Sequence, residues 1–178
     1  MKFFKLFALL FIFSTSLISA ELKFEAYGYG KSEIYNLSEE NIFVHYTNKF
    51  IFTTDVGIRG EGTCKGIVEV LKGQTTSNVV CKGKEQNGDI HFAQFKATPD
   101  SAFTTEGKQV FTFVTGEGRW KELIGSKCIG ATSQITFNAE SGTFEDTYMW
   151  VGKCNIPDAS YEIFIITRNL NNFIFLIL

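Results

Sequence analysis

The stretch CKGIVEVLKGQTTSNVVC, residues 64 to 81, has a cysteine at each end and the turn dipeptide Lys72-Gly73 at its centre. Its flanks are rich in Val, Ile and Thr, residues that suit a pleated, half-buried surface. If Lys72-Gly73 is a two-residue hairpin loop, Leu71 and Gln74 form the first pair, and counting outward sets Cys64 opposite Cys81. The alternation of pair types makes this a non-hydrogen-bonded pair, the closer-spaced kind, across which a disulfide fits. A second stretch gives the same result. Glu140-Ser141-Gly142 suits a three-residue loop with Gly142 in the left-handed conformation, and counting outward from Ala139 and Thr143 brings Cys128 opposite Cys154. The chain is therefore predicted to carry two cross-strand disulfides, Cys64 to Cys81 and Cys128 to Cys154. Each closed loop contributes about 3 kcal/mol in the chain-entropy model.

Working outward, the positions from Phe50 to Val70 alternate. Phe50, Phe52, Val56, Ile58, Cys64, Val68 and Val70 share one face, and Asp55, Arg59, Glu61, Lys65 and Glu69 share the other. This is the period of a strand with one apolar side. The run is too long for one ordinary strand, so it reads as two strands, or one bent strand, broken at Gly60-Glu61-Gly62. Further strands are predicted at 22–30, 42–47, 78–85, 89–97, 108–115, 127–137 and 143–153, with Asn87-Gly88 as a strong hairpin signal. No segment reads as a convincing helix. Short turns and only two prolines favour an all-β, antiparallel up-and-down barrel of about eight strands, with a β-sandwich as the alternative.

Residues 1–20 have the three parts of a signal peptide: Lys2 and Lys5, an apolar stretch from Leu6 to Phe13, and small polar residues leading to Ser19-Ala20, after which cleavage is predicted. The apolar stretch is shorter than the roughly 20 residues a bilayer requires, and no cysteine stands near the cleavage site to take a lipid, so no stable membrane anchor is expected. Export to an oxidising compartment, secreted or periplasmic, fits the paired cysteines. Removing Lys2 and Lys5 leaves 15 basic against 19 acidic residues, a net charge of −4. With no run of Lys and Arg to neutralise phosphates, nucleic acid is not an expected partner. Residues 21–157 form the predicted barrel domain. The tail 158–178 breaks the alternation at Arg168, Asn169, Asn171 and Asn172 and ends in an apolar run. It reads equally as an edge strand, a contact in a homo-oligomer, or sequence outside the natural reading frame.

The segment Phe113-Val114-Thr115-Gly116-Glu117-Gly118-Arg119-Trp120, closed by Gly125, resembles the G-x-G-[RK]-aromatic-x4-G segment of dirigent and allene-oxide-cyclase-like barrels and of small exported barrels similar to them. Where dirigent proteins typically carry Ala-Arg before the closing glycine, this chain has Leu123-Ile124. The resemblance implies the barrel fold and no catalytic residue. The aromatic between glycines is expected to plug a barrel end, so that truncating Trp120 costs about 3 kcal/mol and truncating Arg119 much less.

No nucleophile elbow, phosphate-binding loop or dinucleotide fingerprint is present. His45 and His91 stand far apart and read as ordinary strand residues, and no metal site or cofactor is expected. On the second hairpin, Ile129, Ala131, Ile135, Phe137, Met149 and Val151 look like a packed core. The opposite, cysteine-bearing face gathers Thr132, Gln134 and Thr136 against Trp150, Tyr148 and Asp146. Should that side face a lumen, Trp150 and Tyr148 would supply apolar walls and Gln134 and Asp146 the orienting polar groups of a small-molecule site. Three functions follow: an exported barrel binding a small apolar ligand, a cyclase- or isomerase-type barrel enzyme using a buried Asp146, Glu145 or Glu33, or a structural or interaction protein whose lumen is filled.

Overall fold

The computed structural model describes residues 19–72, 74–97, 107–140 and 142–174, with the backbone alone at 97, 107–108, 134–140 and 167–174. Eight strands close into an antiparallel barrel: β1 (Ser19–Ser38), β2 (Asn41–Thr54), β3 (Arg59–Leu71), β4 (Gln74–Glu85), β5 (Ile90–Ala97), β6 (Gly107–Gly116), β7 (Lys127–Glu140) and β8 (Thr143–Pro157). Each strand pairs with its neighbour in sequence, and β1 pairs with β8 to close the ring. Closure removes the exposed edges that an open sheet would present. The predicted signal peptide lies outside the described residues up to residue 18, and Ser19 and Ala20 open β1.

Both hairpin arguments hold at the cysteines. Leu71 faces Gln74 across the turn, Lys72 takes a positive φ of 51°, and Cys64 faces Cys81. Cys128 faces Cys154, and both pairs are disulfide-bonded, with Cα separations of 3.9 and 4.1 Å. The second turn differs in detail. Glu140, not Ala139, faces Thr143, so the loop has two residues, and Gly142 has the left-handed φ of 82°. A register shift between Gln134 and Thr136 absorbs the extra residue and restores the pairing that the cysteines need. In consequence Thr136 faces Thr147, and Phe137 faces Asp146.

The break in the Phe50 to Val70 run falls at Asp55–Ile58, not at Gly60-Glu61-Gly62. Gly57 turns there with φ 77°, and the Ile58 N–H is taken by the Thr54 hydroxyl at 3.1 Å. Thr53 faces Arg59, which leaves five residues in the loop. An odd loop preserves parity across a hairpin, so the even positions keep facing inward and the alternation passes through the turn undisturbed. Gly60 and Gly62 instead lie inside β3, directly opposite Phe52 and Phe50, whose rings occupy the space a Cβ would need. The same pairing recurs where Tyr148 covers Gly28 and His91 covers Gly83. Large rings fit inside a narrow barrel because the facing residue has no side chain.

Two helical elements contradict the all-strand expectation. A 3-10 turn covers Gly118–Leu123, and the tail forms helix α1 (Asp158–Ile174). Pro157 ends β8, and Asp158 places an acid in the first turn of α1, where it complements the helix dipole. Phe164 of α1 is fully buried against Trp120, at 5.4 Å between ring centroids. The tail therefore packs across one end of the barrel. Residues 175–178 lie outside the described residues.

The expected packed core of the second hairpin is overturned as well. Ile129 and Val151 are 43% and 44% exposed, while Cys128, Tyr148, Trp150 and Cys154 are buried. The cysteine-bearing face is the inner one. A disulfide across neighbouring strands puts both sulfurs on one side of the sheet, and here that side is the lumen.

Candidate functional site

The lumen is divided by composition. At the end covered by α1, Trp120 is fully buried among Phe24, Phe52, His91 and Phe113, stacked on His91 with ring centroids 3.8 Å apart. The glycines around it serve that placement. A Cβ at Gly116 would meet the Trp120 side chain, and Gly118 and Gly125 have left-handed φ of 52° and 83°. The indole Nε1–H donates to Glu85 Oε2 at 2.8 Å. Arg119 forms an ion pair with the other Glu85 oxygen at 3.3 Å and donates to the Phe164 carbonyl at 3.2 Å. Arg119 is 4% exposed and Glu85 2%. The expectation that truncating Arg119 costs much less than truncating Trp120 does not fit its placement: Arg119 is buried, and it ties the 3-10 turn to both β4 and α1. Burial pushes the Glu85 carboxyl up, while Arg119 and the Trp120 N–H pull it down.

Beyond this plug the lumen is not filled. A partly open cavity of about 140 Å³ is walled by rings that include Phe24, Phe50, Phe52, Phe95, Phe111 and Phe113. Trp150 closes one side, packed against Gly130 and Gly152 and lying 5.1 Å from the Phe111 ring. The Cys64–Cys81 bridge also lines the cavity. Polar groups gather on β2 and β8. Asn48 Nδ2 donates to the Tyr46 hydroxyl at 2.6 Å, and its Oδ1 accepts the Cys64 N–H at 3.2 Å. Tyr148 crosses Gly28, and Asp146 packs over Gly30. Trp150 Nε1 and His91 Nδ1 are buried with no hydrogen-bond partner among the described residues.

Burial sets the protonation of these groups. His91 is pushed down to about 3, so its imidazole is neutral near pH 7. Tyr46 and Tyr148 are pushed well above the usual phenol range, and both keep their protons. The Asp146 carboxyl is raised by burial, against the backbone N–H groups of Gly30 and of Asp146 itself, which favour the charged form.

Of the residues predicted for a site, Asp146, Tyr148 and Trp150 do line one cavity. Gln134 faces Tyr148 in the ladder, but its side chain lies outside the described residues. Of the alternative acids, Glu145 pairs outside the cavity with Lys31 at 3.1 Å, and Glu33 is exposed near His45 at 3.8 Å. Sequence reasoning missed Tyr46, Asn48 and His91. The parity that joins Phe50 and Phe52 to Cys64 extends back along β2 to Asn48 and Tyr46 and could have found those two. Among the described residues, no group of three His, Cys, Asp or Glu side chains could hold a metal ion. No helix of the described residues is long and apolar enough to cross a membrane. Compared with known family models and with curated proteins, the chain has no match.

Proposed function

We propose that this protein is an exported barrel that binds a small, largely apolar molecule in its lumen, with Tyr148 and Trp150 as walls and Asp146 and Gln134 as orienting polar groups. The observation that carries the reading is the unfilled cavity of about 140 Å³, bounded by aromatic rings and holding a buried indole N–H with no acceptor among the described residues. Its size is close to that of an engineered apolar cavity of about 150 Å³ that takes up benzene. Ligand pockets typically combine apolar walls with a few convergent polar groups, and this cavity has both. Export is supported by the lysine-led apolar leader and by two disulfides, which persist in oxidising compartments.

Binding is tested by titrating the folded protein with benzyl alcohol and following indole fluorescence. A saturable change that Trp150→Phe abolishes supports the reading, and a linear response identical in both proteins contradicts it. A second reading, a barrel enzyme of cyclase or isomerase type, is favoured by Asp146 alone, the one of the three candidate acids that lines the cavity and has a raised carboxyl.

A further inference from the structure

The residues lining the lumen carry an imbalance of charge that the reading above does not use. Among the described residues, Asp146 lines the cavity and no Lys or Arg does. His91 is neutral there, because burial holds its imidazole at about 3, and the two phenols keep their protons. Arg119, the buried cation, is engaged by Glu85 and by the Phe164 carbonyl beneath Trp120. Lys31 and Lys153 are paired on the outside with Glu145 and Glu21. A carboxyl group therefore borders an aromatic cavity whose lining, among the described residues, supplies no cation to balance it.

The surroundings of Asp146 add shape to that charge. Phe144 and Tyr148 lie two residues to either side on the same face of β8, Trp150 follows Tyr148 at the same spacing, and all line the cavity. A carboxylate flanked by aromatic side chains suits an ammonium ion, which gains from the counter-charge and can gain from the aromatic quadrupoles as well. The apolar body of the same molecule would fill the phenylalanine-walled part of the lumen. An anionic ligand would meet the opposite conditions, with repulsion from Asp146 and no cation to offset its desolvation.

We propose that the lumen selects small hydrophobic amines, bound as ammonium ions with Asp146 as counter-ion. The inference rests on the lumen-binding reading and adds the sign of the ligand's charge. The cavity of about 140 Å³ limits the apolar body to about one ring or a short alkyl chain.

Three probes of similar shape separate the two claims: benzylamine, benzyl alcohol and benzoate, each titrated by calorimetry into the unmodified protein at pH 7. Benzylamine is expected to bind at least tenfold tighter than benzyl alcohol, and benzoate at least tenfold more weakly. In Asp146→Asn the preference for the amine over benzyl alcohol is expected to vanish, with circular dichroism showing that the variant is folded. If benzyl alcohol or benzoate matches or exceeds benzylamine, the charge selectivity is wrong and the apolar lumen site stands. If none of the three binds, the lumen reading fails and the inference with it. The comparison in the unmodified protein decides the matter even if Asp146→Asn does not fold.

Discussion

Replacing Arg119 with alanine probes how the barrel end is held together. The guanidinium is almost wholly buried and has three engagements: the ion pair with Glu85 at 3.3 Å, the donation to the Phe164 carbonyl at 3.2 Å, and a position over the Phe164 ring at 5.9 Å. Removing one partner of a buried pair leaves an uncompensated charge and typically costs about 3–5 kcal/mol. Among the described residues Glu85 would keep only the Trp120 N–H, so Arg119→Ala is expected to fall within that range. For a domain of this size such a loss lowers Tm by roughly 6–20 °C. The assay is urea unfolding at pH 7 of the wild type, Arg119→Ala, Glu85→Gln and the double variant. Glu85→Gln keeps an acceptor for Trp120 and removes the charge, so the double variant is expected to lose clearly less than the sum of the single losses, with a coupling of about 1–3 kcal/mol. The sign with pH is also fixed. Loss of Arg119 removes an influence that lowers the Glu85 carboxyl, so its stability penalty should shrink as pH falls and Glu85 takes a proton. A loss under about 1 kcal/mol, or strict additivity with Glu85→Gln, would refute the reasoning and return Arg119 to the much smaller cost that the sequence suggests.

Other outcomes follow from the same packing. His91 is neutral when folded and takes a proton more readily when unfolded, so stability should fall as pH drops from about 6.5 toward 3, and His91→Phe should flatten that slope in an acid titration followed by circular dichroism. Phe164→Ala should cost about 3–5 kcal/mol by chemical denaturation and expose Trp120 to acrylamide quenching, whereas a neutral result would show that α1 does not seal the barrel. Gly62→Ala sets a methyl group against the Lys82 carbonyl and the Phe50 ring and should destabilise by about 1–3 kcal/mol, again by denaturation; an unchanged stability would mean that the ring-over-glycine packing is loose.

The strands and their register were legible because hairpin pairing is local arithmetic. Two turns and four cysteines were enough to place Cys64 opposite Cys81 and Cys128 opposite Cys154. The direction of the faces was harder to read. Period-two alternation says that two faces differ, but Ile129 and Val151 look like core residues, and Gly28, Gly60, Gly62 and Gly130 look like none. In this barrel the rings inside fit only because glycines lie beneath them, so the inner face is poorer in aliphatic residues than the outer one near β7 and β8. Helix α1 was hidden for a different reason. Its isoleucines and asparagines are weak helix formers, and its stability comes from Phe164 docking on Trp120, a contact 44 residues away along the chain. The bulge after Gln134 was invisible because a three-residue loop between Ala139 and Thr143 already brings Cys128 opposite Cys154, so nothing in the sequence signals that a two-residue loop and a bulge reach the same pairing. Of the site, Asp146, Tyr148 and Trp150 were readable once the cysteine side was taken as the lumen. His91 was not, since nothing in its neighbours marks it as buried.

The most direct test of the central claim is a crystal structure of the protein soaked with benzyl alcohol. Density is expected for one molecule inside the barrel, its ring against the phenylalanine-walled part of the lumen and its hydroxyl toward Asp146 and Tyr148. A lumen solid with side chains, or a cavity left without ligand density at saturating concentration, would contradict it.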